Sequence, residues 1–221
     1  MTVAVSMASF AVELLAKVVA PPKCAACDSP VPLLSAFCPA CASTVERVRD
    51  NDASRTAAFA YGGAIASAIV RLKYEHRPDL ARPLGDLLWR ALAPNASSLR
   101  DSVVIPVPLH VVRLTERGFN QSALIARRVA HRLGAPLLPL ALVRVRDTPQ
   151  QATLDREGRI ANVAGAFRVR QCERVRGRGV LLIDDVRTTG ATMNACAGAL
   201  RAAGANFVGN AVVARACAEG G

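Results

Sequence analysis

The stretch Val180-Leu-Leu-Ile-Asp-Asp-Val-Arg-Thr-Thr-Gly-Ala-Thr192 decides the fold and the kind of ligand that the chain can bind. Its first four residues are apolar, which is typical of a strand buried on both faces of a parallel sheet. Asp184 and Asp185 come next, at the carboxyl end of that strand, where α/β sheets bind their ligands. Two carboxylates at that place can accept hydrogen bonds from the vicinal diol of a sugar.

A turn of small and hydroxyl side chains follows the acidic pair and leads into a predicted helix. Backbone N–H groups at a helix start, together with hydroxyl donors, form a site for a phosphate monoester. The predicted phosphate-binding residues are Arg187, Thr188, Thr189, Gly190, Ala191 and Thr192. The plainer alternative is one capping threonine beside two solvated aspartates, but a cap needs a single hydroxyl and this turn has three threonines. We therefore favour a site for a phosphorylated sugar.

Strands and helices alternate along most of the chain. Strands are predicted from residue 56 to the glycine pair at 62–63, at 102–108, at 141–146, at 179–184 and at 206–214, and helices at 64–74, 80–92, 121–133 and 191–203. This order predicts an α/β domain with a mostly parallel sheet. The polar segment 147–163 is long for a connection inside such a domain, and it is predicted to be an active-site lid or a disordered loop.

Four cysteines lie close together before this domain, as two CxxC pairs separated by ten residues: Cys24, Cys27, Cys38 and Cys41. Two such pairs can hold one tetrahedral metal ion, and a proline-rich segment of this length cannot bury a core of its own. Redox or disulfide pairs are the alternative; we favour structural Zn²⁺. Residues 1–55 are thus predicted to form an N-terminal helix and a zinc element, and residues 56–221 the main domain.

The chain is strongly basic, with 28 Lys and Arg against 17 Asp and Glu and a formal charge of +11. This charge attracts phosphate-bearing partners, either nucleotides or a nucleic-acid backbone. Lys73 can reach a phosphate, but we interpret it as a solvated lysine on a helix surface. No apolar run reaches the roughly 20 residues of a membrane helix, and no clear secretion signal is present, so we expect a cytoplasmic protein without a membrane span.

The stretch 180–192 resembles the signature of type I phosphoribosyltransferases, which binds 5-phosphoribosyl-1-diphosphate (PRPP). The upstream segments Ile105-Pro-Val-Pro-Leu-His110 and Arg113-Leu-Thr-Glu-Arg-Gly-Phe-Asn-Gln121 are similar to the ComF family of competence protein F-like homologues. Leu72-Lys-Tyr74 and the four-cysteine element also resemble that family. The resemblance implies a Rossmann-like phosphoribosyltransferase fold with a small, zinc-ribbon-like N-terminal element.

The same resemblance implies roles for single residues. Asp184 and Asp185 would take the ribose hydroxyls, and the 188–192 turn would take the 5-phosphate. The turn after the 103–107 strand, with Pro108, would hold the diphosphate, and Arg113 and Arg117 would supply counter-charges. Arg159, in the predicted lid, would close over the diphosphate. Mg²⁺ would accompany PRPP, held mainly by the diphosphate oxygens of the ligand.

Two functions remain open at this stage. One is the transfer of the 5-phosphoribosyl group to an unknown acceptor with release of diphosphate, in a setting linked to DNA uptake and competence. The other is a non-catalytic protein that senses a nucleotide or binds single-stranded DNA or a protein of the competence machinery. The intact acidic pair and phosphate turn favour ligand binding in either case.

Overall fold

A parallel four-stranded sheet forms the centre of the molecule. The structure is a computed structural model and describes residues 22–48, 55–146 and 165–216. Its strands are β1 (Arg55–Ala60), β2 (Ser102–Pro106), β5 (Gly179–Arg187) and β6 (Phe207–Arg215), in the order β1-β6-β5-β2. Two short strands, β3 (Leu142–Arg144) and β4 (Phe167–Val169), form a separate antiparallel pair. The strand predicted at 141–146 therefore exists in part but does not join the main sheet.

Eight α-helices connect the strands of the described chain. They are α1 (Pro39–Ala42), α2 (Gly63–Tyr74), α3 (Ala81–Leu92), α4 (Ala96–Leu99), α5 (Val111–Arg117), α6 (Gln121–Leu133), α7 (Cys172–Val175) and α8 (Ala191–Ala202). Short 3₁₀ helices cover Pro78–Leu80 and Ala93–Asn95. Helix α6 has the predicted bounds because both of its ends are specified locally: Asn120 caps its first turn, and Gly134 ends it in a left-handed conformation.

The sheet separates two apolar layers. Along β5, Leu181 and Ile183 point into the layer that contains α2, α3 and α6, whereas Val180 and Leu182 point into the layer that contains α8 and the β3–β4 pair. This alternation follows from the two-residue period of a strand. All four of these side chains are 2% exposed or less, as expected for a parallel strand covered on both faces.

The crevice beside the acidic pair forms because β5 continues beyond the end of its neighbour β2. On the β2 side, pairing ends with Pro106 opposite Ile183. On the β6 side, β5 remains paired as far as Arg187 opposite Arg215. The acidic pair thus lies inside β5 rather than after it, and the predicted end at residue 184 is three residues too early. Pairing with β6 extends the strand past Asp185, a residue type that is depleted in strands.

The four-cysteine segment packs on the sheet domain through short backbone contacts. Arg47 forms an antiparallel bridge with Phe59, and the N–H of Ala60 donates to the carbonyl of Glu46 at 3.0 Å. The predicted N-terminal helix, and the predicted 147–163 lid with Arg159, lie outside the described residues. Within the described part of the chain, no helix is long and apolar enough to span a membrane.

Candidate functional site

The acidic pair is held in place by hydrogen bonds from the backbone and from helix α6. The Ser122 hydroxyl donates to Asp184 Oδ1 at 2.6 Å, and the N–H of Asp185 donates to the same oxygen at 2.9 Å. Asp185 Oδ1 accepts the N–H of Val186 at 2.8 Å. Both carboxylates are therefore fixed by their surroundings before any ligand arrives.

Lys73 completes the site from helix α2. Its Nζ lies 2.7 Å from Asp185 Oδ2, and the two side chains are 20% and 4% exposed. Asp185 shares the face of Leu181 and Ile183, which α2 covers, so strand alternation directs its carboxylate towards this helix. Burial disfavours the charged amine, but the nearby carboxylates of Asp185 and Asp184 outweigh it and raise the pKa of Lys73. The interpretation of Lys73 as a solvated surface residue is wrong, because its ammonium group pairs with a buried carboxylate.

The carboxyl group of Asp184 is a much weaker acid than an ordinary aspartate. Burial of its carboxyl group, and then the negative charge of Asp185, raise its pKa to about 7, although the Ser122 hydrogen bond and the Lys73 charge act in the opposite direction. Two carboxylates so close together resist simultaneous ionisation. The site therefore changes its charge near neutral pH and can take up a hydrogen-bonding or cationic ligand with loss of a proton.

The turn after β2 is tied to the same helix. Asn120 Nδ2 donates to the carbonyl of Val107 at 3.0 Å, and its Oδ1 accepts the N–H groups of Ser122 and Ala123 at the start of α6. One side chain thus joins the 107–110 turn to the residue that bonds Asp184. Sequence reasoning missed Asn120 and Ser122 as site residues, although the segment that contains Asn120 was part of the family resemblance.

The residues predicted to surround a diphosphate lie around this turn. Pro108 is buried directly after β2, and Arg113 and Arg117 are half-buried on α5, a helix that the sequence did not predict. Arg117 lies over the ring of Tyr74, 5.3 Å from its centroid, and hydrogen-bonds Gln121. Of the two arginines, Arg117 is therefore already engaged with other side chains.

The predicted phosphate turn follows β5 and begins helix α8. Gly190 caps this helix with φ of 80°, a conformation that residues with a side chain rarely adopt. Thr188 and Thr189 are exposed, and Ala191 is buried at the first helical position. The Arg187 guanidinium hydrogen-bonds Asn210 Oδ1 at 3.1 Å on the neighbouring strand β6, and Thr192 is half-buried on the first turn of α8. The turn therefore presents the exposed hydroxyl groups of Thr188 and Thr189 at the start of a helix, where a phosphate can bind.

The four cysteines of the N-terminal segment meet at one point. Their Sγ atoms all lie within 4.8 Å of one another, and the Cys27 and Cys38 sulfurs are 3.7 Å apart. Tetrahedral zinc with Zn–S bonds of about 2.3 Å requires sulfur atoms about 3.8 Å apart. Hydrogen bonds with Ser29 lower the pKa of Cys27 to about 6, whereas hydrogen bonds with the neighbouring thiols raise that of Cys41 to about 12. The cluster can hold a metal ion, and its donor set suits zinc.

The acidic pair by itself suits a dedicated metal ion less well. Three of its four carboxylate oxygens already have protein partners, and within the described chain only Asp184 Oδ2 has none. Mg²⁺ prefers octahedral oxygen coordination and is commonly held by one or two carboxylates together with the phosphates of the substrate. The donors therefore fit a Mg²⁺ ion that arrives with a diphosphate ligand.

Comparison with known proteins defines the class. The model of the phosphoribosyl transferase domain matches residues 119–220, which include the start of α6, the acidic pair and the phosphate turn. Residues 119–220 therefore match a phosphoribosyl transferase domain, and the predicted fold class is confirmed.

The chain is a homologue of proteins named for competence and DNA utilization, so the resemblance stated from the sequence is also confirmed. It is 34% identical over 140 residues to Competence protein F of Haemophilus influenzae, an alignment that covers 62% of this chain and 61% of the relative. It is 33% identical over 136 residues to the DNA utilization protein YhgH of Salmonella typhimurium, covering 60% of this chain and 59% of that protein. The chain thus spans three fifths of the length of these relatives.

Solved structures show a weaker similarity. A purine phosphoribosyltransferase from Pyrococcus horikoshii matches with a TM-score of 0.38 and 16% identity, over 60% of this chain and 82% of that one. A phosphoribosylpyrophosphate synthetase from Mycobacterium smegmatis matches with a TM-score of 0.36 and 19% identity, over 58% and 33% of the two chains. These scores are low, and the assignment of the class rests on the sequence match.

Proposed function

We propose that this protein binds PRPP at the carboxyl end of β5 and transfers its 5-phosphoribosyl group to an acceptor, with release of diphosphate. The observation that carries the proposal is the arrangement of the acidic pair. Asp184 and Asp185 lie in the crevice where β2 ends and β5 continues, and the helix start at Gly190 follows within six residues. A ligand with a diol in its middle and a phosphate at one end matches these two features in the order in which the chain presents them.

Each part of the proposed site has a physical task. The carboxylates of Asp184 and Asp185 accept the ribose hydroxyls, and the N–H groups and hydroxyls of the 188–192 turn bind the 5-phosphate. The 107–110 turn receives the diphosphate, with Arg113 and Arg117 compensating its charge. Mg²⁺, when bound with the ligand, supplies further positive charge for the leaving diphosphate. Arg159 and the 147–163 segment are proposed to close over the ligand and exclude water.

The balance of the reaction is a substitution at C1 of the ribose. The bond between C1 and the diphosphate oxygen breaks, a bond from the acceptor nucleophile to C1 forms, and the proton of the nucleophile passes to the departing diphosphate. We propose that the residues that contact the acceptor come from the four-cysteine segment and from residues 56–92. The second of these segments includes α2, whose Lys73 lies beside the acidic pair. Structural Zn²⁺ bound to the four cysteines would hold the first of these segments together.

A setting in DNA uptake is proposed from the names of the relatives, which are a competence protein and DNA utilization proteins. The net charge of +11 is consistent with a phosphate-rich partner such as single-stranded DNA. A non-catalytic role, in which the PRPP site senses a nucleotide while the protein binds DNA or a competence protein, is the second candidate. The two are separated by whether bound PRPP is consumed.

Calorimetric titration of the zinc-loaded protein with PRPP and Mg²⁺ tests the proposed site. Asp184→Asn is the variant of choice, because an asparagine oxygen can still accept the Ser122 hydrogen bond while the carboxylate charge is lost. Hydrogen bonds to charged groups contribute about 1.5–3 kcal/mol, so the dissociation constant is expected to rise about 10- to 150-fold. Asp101→Asn, at an exposed aspartate in the turn before β2, is the matched control.

The outcomes discriminate among the candidates. Saturable binding of PRPP that is weakened in Asp184→Asn but not in Asp101→Asn supports the proposed site. No binding of PRPP by the intact protein contradicts it. Release of diphosphate from bound PRPP in the presence of candidate bases or amines supports transfer. Binding of PRPP without consumption, together with salt-dependent affinity for single-stranded DNA, supports the second candidate instead.

A further inference from the structure

The four-cysteine segment holds helix α2 at its N-terminal end. Thr44, three residues after Cys41, accepts the N–H of Ala64 on its Oγ1 at 2.9 Å and so caps the first turn of α2. The same hydroxyl donates to the carbonyl of Cys41 at 2.8 Å. Gly63 has φ of 48°, and a Cβ there would lie 2.6 Å from Thr44 Oγ1. This close approach requires glycine, and it joins the start of α2 directly to a cysteine of the cluster.

The same segment holds α2 at its C-terminal end. Asp28, the residue after Cys27, pairs with Arg71 on the last turn of α2 and with Arg77 just beyond it, the latter at 3.1 Å. The Arg71 guanidinium also donates to the carbonyl of Ala25, which lies between Cys24 and Cys27, at 3.1 Å. The Arg71 side chain is 11% exposed and that of Asp28 is 37% exposed, so the contact is partly shielded from solvent on the arginine side.

The last turn of α2 connects the four-cysteine segment to the acidic pair. Residues two apart on a helix point about 200° away from each other, since each residue turns the helix by about 100°. Arg71 therefore faces the cysteine segment while Lys73 faces the sheet, where its Nζ pairs with Asp185. A rotation or fraying of this turn that freed Arg71 would also move Lys73 away from the carboxylate.

We propose that the four-cysteine element is a clamp on α2 that positions Lys73 against Asp185, so that loss of metal from the element weakens binding of the phosphoribosyl ligand. Lys73 is in this view a positioning residue: it fixes the Asp185 carboxylate in the orientation that accepts a ribose hydroxyl. The inference rests on the proposed PRPP site and adds to it a control from a second site. An element that served only as an independent docking module would have no need to hold both ends of one helix.

Arg71→Met is the variant that separates the clamp from both sites, because it removes the contacts with Asp28 and Ala25, and an exposed ion pair with Glu75, but leaves the cysteines and the acidic pair intact. Arg90→Met, at an exposed arginine near the end of α3, is the matched control. The PRPP dissociation constants of the zinc-loaded proteins are measured by calorimetry, and the exchange of α2 amide hydrogens is followed by mass spectrometry. Coupling between sites typically amounts to about 5- to 150-fold in affinity, and a loss in this range is expected for Arg71→Met alone.

A double-mutant cycle tests the route through Lys73. If Arg71 acts by positioning Lys73, then adding Arg71→Met to Lys73→Met leaves the dissociation constant unchanged, whereas independent effects would multiply. Coupling is reciprocal for binding affinities, so saturating PRPP is also expected to raise the affinity for zinc, measured as a smaller share of zinc taken by a competing chelating dye at equilibrium. Thr44→Val, which removes the cap hydroxyl at the other end of α2, provides a second variant should Arg71→Met fold poorly.

The results decide the inference in each case. Weakened PRPP binding with faster exchange of the 63–75 amides in Arg71→Met supports it, and affinity within about twofold of the intact protein overturns it. Multiplying effects in the cycle overturn the route through Lys73. If the intact protein binds no PRPP, the proposed function fails separately. The clamp is then decided by hydrogen exchange alone: faster exchange in Arg71→Met supports it, and unchanged exchange overturns it.

Discussion

Replacement of Lys73 by methionine is the sharpest perturbation that the site offers. Methionine is similar in length and keeps the apolar contacts of the lysine stem, so the main change is the loss of the charge beside Asp185. Asp185 is 3% exposed and would be left as an uncompensated carboxylate in the interior. Breaking a buried ion pair by removal of one partner costs about 3–5 kcal/mol. Because the Lys73 side chain retains 20% exposure, we expect the lower end of this range at neutral pH.

Urea denaturation measures this loss. With a slope of about 2–3 kcal/mol per molar urea, a destabilisation of about 3 kcal/mol lowers the midpoint by about 1–1.5 M. The deficit is expected to shrink as the pH falls from 8 to 5, because Asp184, whose pKa is raised to about 7, becomes protonated and the negative charge of the pair decreases. The pKa of Asp184 should also rise further above 7, since the Lys73 charge is among the groups that lower it.

Lys23→Met is the control for the loss of a lysine charge, because Lys23 is exposed, and a surface substitution usually changes stability by about 0.5 kcal/mol or less. A midpoint for Lys73→Met within about 0.3 M of the intact protein at pH 7 would refute the reasoning, because such a shift is less than 1 kcal/mol. A loss of stability in Lys73→Met that grows at acid pH would show that the loss does not come from an uncompensated carboxylate charge.

Three further predictions concern the acidic pair, the start of α2 and the metal. Burial raises the pKa of Asp184 from 3.8 to about 7, so its contribution to stability is fully present below pH 3.8 and is lost as the pH rises through 7. Asp184→Asn, which cannot ionise, should therefore gain stability relative to the intact protein as the pH rises from 5 to 8 in urea titrations, by at most about 3 kcal/mol, because about two pH units separate pH 5 from the pKa of Asp184. An unchanged difference across this range would contradict the shift. Gly63→Ala should lower the thermal midpoint, because it combines a strained φ with a clash against Thr44, at a cost of about 1–3 kcal/mol. Gly62→Ala, at an extended position with open space for a Cβ, should leave the midpoint close to that of the intact protein, and equal effects of the two would contradict this. Cys38→Ser should reduce the zinc content measured by atomic absorption below one ion per chain, and full retention of zinc would show that this thiol is not needed as a ligand.

The sequence was most informative where local chemistry specifies the structure. The bounds of α6 were predicted correctly because a capping asparagine and a terminal glycine enclose an amphipathic run. Helix α5 was missed because Val111, Val112 and Leu114 are exposed on it, so their spacing does not mark a buried face. The predicted end of β5 was too early, because the last part of this strand is stabilised by pairing with β6. A local sequence pattern does not indicate such pairing.

The candidate site divides in the same way. The acidic pair, the phosphate turn and the two CxxC pairs were visible in the sequence, because each is a contiguous motif whose residue types follow from the chemistry of its ligand. Ser122 was not identified as a partner of Asp184, because a serine in the first turn of a helix is more often a simple helix-end residue. Arg159 remains a prediction, since its segment lies outside the described residues.

The sequence by itself determined that a buried parallel strand delivers two carboxylates and a glycine-capped helix start to one edge of a sheet, and that four thiols lie close enough along the chain to meet. Only the tertiary structure decided which cation neutralises the acidic pair. Lys73 and Asp185 are separated by more than a hundred residues, and whether a lysine is solvated or buried depends on the surface that its helix covers. The same packing of α2 against the sheet and the cysteine segment, which no local motif encodes, connects the two sites of the protein.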